Sequence, residues 1–357
     1  MRSLGRVTII PAVLIAWLLA SALPVNAIDA RRVLGGLEQP IAFTFEPGGR
    51  IWYVEKTTGD VRVADPGSGT DALFVTVPGV NGEGERGMLG IALHPDYPDR
   101  PFVYVYVTRT ANGALRNQVL RYEDDGGDAT NRRTIFSSPA SDSPYHNGGH
   151  IAFGPDGKLY VIVGDGHSPA LAQDRGDDRG KILRLDPDGG IPATNPFDSR
   201  VWATGIRNSF GFGFDPQTGR LWETENGPEC NDEVNLIRRG GNYGWGPSET
   251  CSGSAPRNTN QDGPNPILPE VLYGSTIAIT GIAFCDGCRL GAQSEGAAFH
   301  AAANDGRITR LLLDAERNDV RRRTIVYDHP DATLSVEVRP GGRIYFSDFG
   351  GIYVLTR

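Results

Sequence analysis

Residues 150–161, His-Ile-Ala-Phe-Gly-Pro-Asp-Gly-Lys-Leu-Tyr-Val, contain the pattern that decides the fold of this 357-residue chain. An apolar stretch ends at Phe153, a Gly-Pro-Asp-Gly turn follows, and a second stretch rich in apolar and aromatic residues begins. Proline presets φ early in such a turn, and glycine supplies the positive φ with which the chain reverses. The segment therefore predicts two antiparallel strands joined by a tight turn.

The same unit occurs six times along the chain. Its first strand ends, copy by copy, at Phe45, Leu93, Phe153, Phe214, Phe284 and Val338. The spacings of 48, 60, 61, 70 and 54 residues leave room for about four strands and their loops, which is the size of one propeller blade. We therefore predict an all-β, six-bladed β-propeller. Residues 28–357 would form it as a single domain, because closing the ring hides the sheet edges.

Residues 1–27 have the composition of a signal peptide. A short basic start precedes an apolar stretch at 7–23, and the small-residue site Val25-Asn26-Ala27 follows. A membrane anchor is the alternative, since the apolar stretch approaches the length of a membrane span; Pro11 and Pro24 favour cleavage. We predict a periplasmic or secreted protein that begins near Ile28 and has no stable membrane insertion after cleavage.

The charge of the chain bears on its partners. Removing residues 1–27 takes away two arginines, which leaves 33 basic against 43 acidic residues and a net charge of −10. Binding to phosphate groups needs clustered lysine and arginine. We therefore expect no nucleic-acid partner.

Four cysteines in an exported chain predict two disulfides. Of the three possible pairings, Cys230–Cys251 and Cys285–Cys288 are favoured because each closes a local loop. The Cys285-Asp-Gly-Cys288 stretch has an alternative interpretation as half of a zinc site or as a redox pair. The oxidising compartment and the absence of a second close cysteine pair in the sequence argue against it.

Two glycine-rich segments come directly before predicted first strands. One carries Glu85 in Gly-Glu-Gly-Glu-Arg-Gly (82–87), and the other carries His146 in Pro-Tyr-His-Asn-Gly-Gly (144–149). Glycines let a ligand approach the backbone closely, so we predict that Glu85 contacts a ligand and that His146 is a candidate base. A solvated turn and a packed histidine are the alternative interpretations.

A third segment, residues 223–237, is dense in oxygen donors. Four of its acidic residues crowd within nine positions beside three asparagines; they are Glu225, Glu229, Asp232 and Glu233. Such a set suits calcium, which takes six to eight oxygen ligands. The Gly227-Pro228 step predicts a stiff loop whose carbonyls could face the ion. A polar surface loop held by Cys230 is the alternative.

Taken together, these segments resemble the soluble, quinone-dependent glucose/sorbosone dehydrogenase family, which includes the aldose sugar dehydrogenases. The similarity runs from about Leu34 to the C-terminus. The phrases that carry it are Gly84-Glu-Arg-Gly-Met-Leu-Gly-Ile-Ala-Leu-His-Pro-Asp-Tyr97, His146-Asn-Gly-Gly149, Phe153-Gly-Pro-Asp-Gly-Lys-Leu-Tyr160, Gly164-Asp-Gly166, Gly180-Lys-Ile-Leu-Arg-Leu-Asp-Pro-Asp-Gly189, Arg207-Asn208, Asp232-Glu-Val-Asn-Leu-Ile237 and Asn242-Tyr-Gly-Trp245.

The resemblance implies pyrroloquinoline quinone (PQQ) over the channel mouth. His146 would take the proton of a sugar hydroxyl while hydride passes to the quinone, a task that suits an imidazole. Arg207 would act beside it, with Glu85, Tyr145 and Asn208 near the cofactor or substrate. Glu85 stands where glucose-specific relatives carry an amide, and Tyr145 replaces an acidic residue expected next to the base.

The resemblance also implies two calcium ions. The carbonyls of Gly227 and Pro228 would hold one that polarises the quinone as a Lewis acid. A second, structural ion would use Glu233 and the carbonyl of Tyr243.

One part of the family pattern is missing. Relatives that bind the quinone place one lysine between the fifth and sixth blades and two arginines before the last strands, where they neutralise its three carboxylates. The corresponding stretches here, residues 299–307 and 330–336, read Phe-His-Ala-Ala-Ala-Asn-Asp-Gly-Arg and Pro-Asp-Ala-Thr-Leu-Ser-Val. Neither carries the expected cations in place. Arg307, Arg310 or the arginines at 321–323 are the alternative source of positive charge, although no local motif indicates it.

The expected function is that of an exported quinoprotein oxidoreductase. It would oxidise the anomeric or alcohol carbon of an aldose or polyol, transfer hydride to PQQ and pass electrons to an external acceptor. The alternative is a non-catalytic, calcium-stabilised propeller that binds a glycan or a protein, as in the hedgehog-interacting branch. A lactone-hydrolysing propeller ranks third, because it would need a metal cage of carboxylates and amides on the axis.

Overall fold

The computed structural model describes residues 27–248, 250–252 and 260–357. These residues form β-strands and two short 3-10 helices, Pro169–Gln173 and Pro196–Asp198, with no α-helix among them. None of the described residues belongs to a helix that is long and apolar enough to cross a bilayer. The predicted signal peptide lies outside the described residues, apart from Ala27.

The strands group into six sheets of four, which we number as blades 1 to 6. Blade 1 contains β2 (Pro40–Phe45), β3 (Ile51–Glu55), β4 (Asp60–Asp65) and β5 (Thr70–Thr76). Blade 2 contains β6 (Met88–Leu93), β7 (Phe102–Ala111), β8 (Ala114–Asp125) and β9 (Asp128–Pro139). Blade 3 contains β10 (Ile151–Phe153), β11 (Leu159–Val163), β12 (Lys181–Leu185) and β13 (Val201–Thr204). Blade 4 contains β14 (Ser209–Phe214), β15 (Leu221–Glu225), β16 (Asp232–Ile237) and β17 (Val271–Tyr273). Blade 5 contains β18 (Ile279–Phe284), β19 (Ala298–Ala302), β20 (Arg307–Leu313) and β21 (Val320–Asp328). Blade 6 contains β22 (Ser335–Val338), β23 (Ile344–Ser347), β24 (Gly351–Thr356) and β1 (Asp29–Gly35).

The sheets form a closed ring, which confirms the predicted all-β, six-bladed propeller. Within each sheet the strands pair antiparallel in order from the first to the fourth. Neighbouring blades contact each other mainly through their first strands, and between blades 3 and 4 through β11 and β14. β22 contacts β2, so the last blade meets the first. The six repeat markers predicted from the sequence are the last residues of these six first strands.

The ring is closed by a strand that sequence analysis did not find. β1, near the N-terminus, pairs antiparallel with β24, from Asp29 opposite Thr356 to Gly35 opposite Gly351. It thereby supplies the fourth strand of blade 6. The sequence of β1, Asp-Ala-Arg-Arg-Val-Leu-Gly, lacks the apolar alternation of a half-buried strand, because β1 is a largely exposed edge strand.

The hydrophobic core is distributed between the blades. Trp52 and Val54 of blade 1, for example, pack with Val105 and Leu120 of blade 2, and all four are at most 1% exposed. Burying a large apolar side chain contributes about 1.5–3 kcal/mol. Each blade is therefore stabilised mainly by its neighbours, and the loops at the two faces are left free to carry polar groups.

Both predicted disulfides are present. Cys230 is bonded to Cys251, and Cys285 to Cys288, with Cα–Cα distances of 5.9 and 5.1 Å. The Cys285–Cys288 bridge occupies the turn in which the fifth repeat lacks proline. Since its sulfurs are bonded to each other, the zinc-site interpretation of this stretch is wrong for the structure.

Candidate active site

The candidate site lies on the face where the first strand of each blade begins. Glu85 comes shortly before β6, His146 before β10, and Arg207 and Asn208 directly before β14. Since the first strands run in the same direction along the channel, the loops before them meet at one mouth. Glu85 and Asn208, 123 residues apart in the sequence, are accordingly in contact.

His146 is held by a buried carboxylate. Its Nδ1 lies 2.7 Å from Oδ1 of Asp165, which is fully buried, while His146 itself is 7% exposed. His146 has a positive φ of 59°. Its carbonyl lies so close to Gly164 that a side chain there would clash, which accounts for this glycine. A carboxylate at Nδ1 favours the tautomer that leaves Nε2 free to accept a proton.

Asp165 is itself fixed by two further donors. Trp245 donates its indole N–H to Oδ2 at 2.8 Å, and the backbone N–H of His167 donates to Oδ1 at the same distance. The carboxylate that orients His146 therefore has little freedom to turn away.

Glu85 and Asn208 position the backbone of the His146 loop. One carboxylate oxygen of Glu85 accepts hydrogen bonds from the His146 N–H at 2.7 Å and from the Asn208 amide at 2.9 Å. The amide oxygen of Asn208 accepts the N–H of Gly148 at 3.3 Å. Asn208 is 1% exposed, so in this structure its amide binds protein groups.

Arg207 lies against the start of the calcium-binding candidate loop. Its guanidinium donates to the Asn226 carbonyl at 2.9 Å and lies 5.2 Å from the ring centroid of Trp245. Its backbone N–H donates to Glu225. The Nε of Arg207 is buried without a hydrogen-bond partner, and burial lowers the pKa of the side chain.

Tyr145 faces solvent, with 49% of its surface exposed. Its ring centroid is 6.2 Å from that of His167, and His167 in turn lies 4.2 Å from the ring of His146. Tyr145 therefore belongs to the outer rim of the mouth. The carboxylate that the resemblance led us to expect beside His146 in the sequence is supplied in space by Asp165.

The Gly227-Pro228 step is held in place by Asp232. One carboxylate oxygen of Asp232 accepts the N–H of Gly227 at 2.9 Å, and the other accepts the N–H groups of Ile277 and Ala278, both at 2.7 Å. A Cβ at Gly227 would clash with the Cys230 carbonyl. These hydrogen bonds tie the loop to the segment before β18 of blade 5.

A buried acidic group lies behind this loop, between blades 3 and 4. Glu223 pairs across the strands with Asn235, and Glu225 with Glu233, so all four side chains share one face of β15 and β16. Each residue is at most 5% exposed. Glu223, Glu225 and Asn235 each have a buried oxygen without a hydrogen-bond partner.

Burial makes ionisation of this group costly. Desolvation raises the pKa of Glu223 to about 7 and that of Glu233 to about 8, and it raises the pKa of Glu225 well above its usual range. Mutual repulsion adds to the shifts of Glu225 and Glu233. A bound divalent cation would offset both effects.

Tyr243, the other predicted calcium ligand, is 1% exposed. Its hydroxyl donates to the Leu236 carbonyl at 2.7 Å, and its backbone N–H donates to Thr204 at 2.9 Å. Among the described residues, the carboxylates of Glu223, Glu225 and Glu233 do not each bring an oxygen within 4.8 Å of the others. An ion that contacts oxygens at about 2.4 Å would therefore require side-chain rotation to use all three.

A cavity of about 430 Å³ lies on the propeller axis at the same mouth. Residues of all six blades line it, including Glu85, Gly148 and His150. Burial lowers the pKa of His150 to about 4, so its imidazole is neutral near pH 7. The volume falls within the usual range of small-molecule sites. The cavity is bordered by Glu85 and Gly148, which belong to the loops that hold His146, while the side chains of His146 and Arg207 lie outside its lining.

Sequence analysis missed three residues of this site. Asp165 lies in the Gly164-Asp-Gly166 phrase, where the flanking glycines were the signal of a functional turn. Trp245 was noted only within a motif. Glu223 could have been found from strand alternation, because Glu223-Thr-Glu225 and Glu233-Val-Asn235 both place oxygen donors two residues apart.

The fold is thus a closed propeller whose axial mouth carries a carboxylate-oriented histidine and an arginine. The Glucose / Sorbosone dehydrogenase family model matches residues 37–351. The chain belongs to this family, as the sequence resemblance predicts.

Individual relatives agree with this assignment. The chain is 33% identical to quinoprotein glucose dehydrogenase B of Acinetobacter calcoaceticus over 249 residues, which cover 61% of the chain and about half, 52%, of that relative. An oxidoreductase of Thermus thermophilus, described as a glucose dehydrogenase, superposes with a TM-score of 0.81 at 33% identity, covering 92% of this chain and all of its own. The PQQ-bound aldose sugar dehydrogenase of Streptomyces coelicolor gives a TM-score of 0.77 at 28% identity, covering 92% and 98%.

Proposed function

We propose that the protein is an exported, PQQ-dependent dehydrogenase that oxidises the anomeric or alcohol carbon of an aldose or polyol. The observation that carries this proposal is the His146–Asp165 pair, 2.7 Å apart, at the axial mouth of a family propeller. The disulfides favour a periplasmic or secreted location, because such bonds persist in oxidising compartments. Cleavage of residues 1–27 remains part of the proposal.

His146 would act as the general base. With Nδ1 hydrogen-bonded to Asp165, the free Nε2 can accept the proton of the substrate hydroxyl. Asp165 would then stabilise the imidazolium that forms. Because Trp245 and the His167 N–H already hold Asp165, this stabilisation needs no rearrangement at the moment of proton transfer.

Arg207 would bind oxygen atoms at the reacting end of the substrate or cofactor. The hydrogen bond to the Asn226 carbonyl and the packing against Trp245 would fix its guanidinium. Glu85 and Asn208 would act largely by holding the His146 backbone. Tyr145, on the exposed rim, would contact the outer surface of a bound molecule.

The residues at the mouth fit PQQ at its redox end. An axial cavity of about 430 Å³ borders Glu85, and the Nε2 of His146, whose loop also lines the cavity at Gly148, is suited to accept a hydroxyl proton. When bound, PQQ would supply the two-electron acceptor for the hydride that leaves the substrate carbon.

Calcium is the second cofactor that we propose. The unpartnered oxygens of Glu223, Glu225 and Asn235 are suitable ligands for a hard cation. The raised pKa values of Glu223 and Glu225 agree with this, because a cation would offset the cost of ionising them. Glu233 and the Tyr243 carbonyl would hold a structural ion. The carbonyls of Gly227 and Pro228 would hold a second one, which would supply Lewis-acid polarisation beside the cofactor.

The test uses the purified mature protein loaded with calcium and PQQ, a panel of aldoses and polyols, and a dye as electron acceptor. We expect quinone binding with a Kd below about 100 µM, a binding free energy of roughly −5.5 kcal/mol, and dye reduction with at least one sugar or polyol. If the protein neither binds the quinone nor reduces the dye, the proposed enzymatic function is refuted. The non-catalytic propeller that binds a glycan or protein would then be the better assignment.

A further inference from the structure

The wall of the axial cavity differs from the family pattern in its charges. Ala303 and Leu334 line it, and they come from the two stretches in which quinone-binding relatives carry their lysine and arginines. Both side chains are apolar here. The three carboxylates of a quinone seated in the cavity would therefore meet no cation on the side of blades 5 and 6.

Across the cavity, blade 1 contributes a lysine. Lys56 follows directly after β3 and lines the cavity wall. His150 is neutral near pH 7, so among the described residues that line the cavity Lys56 carries the only cationic group. It is one of only three lysines in the chain, with Lys158 and Lys181.

The ammonium of Lys56 is held by one hydrogen bond, which leaves its other N–H donors available. Nζ donates to the Gly82 carbonyl at 2.8 Å, the one acceptor that it contacts among the described residues. An ammonium has three N–H donors, so two remain for a ligand. A side chain at position 87 would clash with the Lys56 carbonyl. Because Gly87 has none, Lys56 can pack closely on the loop that carries Glu85.

The electrostatic surroundings agree with this geometry. Glu85 is near enough to favour the charged lysine, but desolvation dominates and lowers the pKa of Lys56. The two side chains do not form an ion pair in the structure, since the acceptor of Nζ is a backbone carbonyl. A ligand carboxylate in the cavity could form the ion pair with Lys56 that no protein carboxylate forms among the described residues.

We propose that Lys56 is the anion-binding residue of the mouth and pairs with a carboxylate of the bound cofactor, in place of the cations missing from blades 5 and 6. This inference rests on the proposed function and deepens it. Contact with one lysine, in place of a lysine and two arginines, also predicts weaker quinone binding than in relatives that carry all three.

The test is an absorbance titration of calcium-loaded protein with PQQ, and separately with its trimethyl ester. Lys56→Met should raise the Kd for PQQ about 10- to 100-fold, the usual range for a hydrogen bond to a charged group. It should change the Kd for the ester less than about threefold, since the ester has no carboxylate charge. Lys56→Arg, which keeps a cation, should recover most of the PQQ affinity.

The matched control is Lys158→Met. Lys158 is also half-buried and pairs with Asp186 at 2.6 Å, but it lies at the opposite face, in the turn before β11. Its replacement should leave both Kd values unchanged. Melting curves of all variants check that they fold.

Two results would overturn the inference and can be told apart. If wild type binds PQQ and Lys56→Met binds it equally well, or loses acid and ester alike, Lys56 is not the carboxylate partner and the proposed function stands. If wild type binds neither form, the proposed function itself fails and the inference fails with it.

Discussion

At the scale of single residues, the chemistry of the site depends on one hydrogen bond. Asp165 is fully buried and receives N–H donors from Trp245 and His167, so it presents a fixed oxygen to Nδ1 of His146. The proposed base would therefore be oriented by a residue 19 positions away in the sequence. The contact with Asp165 distinguishes His146 from a histidine that is merely packed in the core.

His146→Gln should lower turnover roughly 10²–10⁴-fold, because a general base acts mainly in the transition state. The Kd for PQQ, measured by absorbance, should change little. His94→Asn is the matched control. His94 is buried at the other end of the channel and accepts the Asp96 N–H at Nδ1, a contact that an asparagine oxygen can replace. A His146→Gln protein with near wild-type turnover would remove His146 from the mechanism, while leaving the family assignment untouched.

At the scale of elements, β15 and β16 place Glu223, Glu225 and Glu233 on one buried face. An acid whose pKa is raised on folding binds more protons when folded. In calcium-free protein, the contribution of these glutamates to the free energy of unfolding should therefore be largest below about pH 4.5. It should fall as the pH rises towards 7 and 8, the pKa values of Glu223 and Glu233 in the folded protein.

Calcium should reverse that trend, because it binds the ionised carboxylates. The melting temperature should rise with calcium, most strongly at the upper end of the range from pH 5 to 8. At a hundredfold excess over its Kd a single ion would add about 2.7 kcal/mol. Thermal melts with calcium and with a chelator measure both effects.

Glu233→Gln should flatten the pH dependence and weaken the response to calcium. Glu229→Gln, on the exposed side of the same segment, is its control. A melting temperature that a chelator leaves unchanged at every pH would argue against the structural ion.

At the scale of the whole molecule, β1 completes blade 6. A chain that starts at Gly36 would leave β24 as an unpaired edge. We expect its melting temperature to fall by roughly 10 °C or more, since losing the strand should cost several kcal/mol and each is worth about 2–4 °C in larger domains. Arg31→Thr, which keeps the backbone pairing of this exposed position, should melt close to wild type. An unaltered melting temperature in the shortened chain would show that β1 is dispensable.

The repeat made the ring predictable, because each blade carries the same strand–turn–strand signal, and the six markers all end first strands. The residues of the site were predictable where they precede those strands. Asp165 was not, because its partner His146 is distant in sequence and one aspartate between glycines has many uses. Lys56 was missed because a lone lysine after a strand resembles any solvated turn. The exposed edge strand β1 gave no apolar pattern to detect.

The pairing of β1 with β24 also sets an order of events during synthesis. Every other strand of the ring lies between β1 and β24 in the sequence, so β1 has no partner until β24 has been made. Contacts of such long separation form late, because the loop that they close is entropically costly. A nascent or truncated chain therefore carries two unsatisfied edges, at blade 6 and on β1. Until β24 has been made, the backbone hydrogen-bonding groups of both edges stay unpaired, and such edges are prone to pair with other chains.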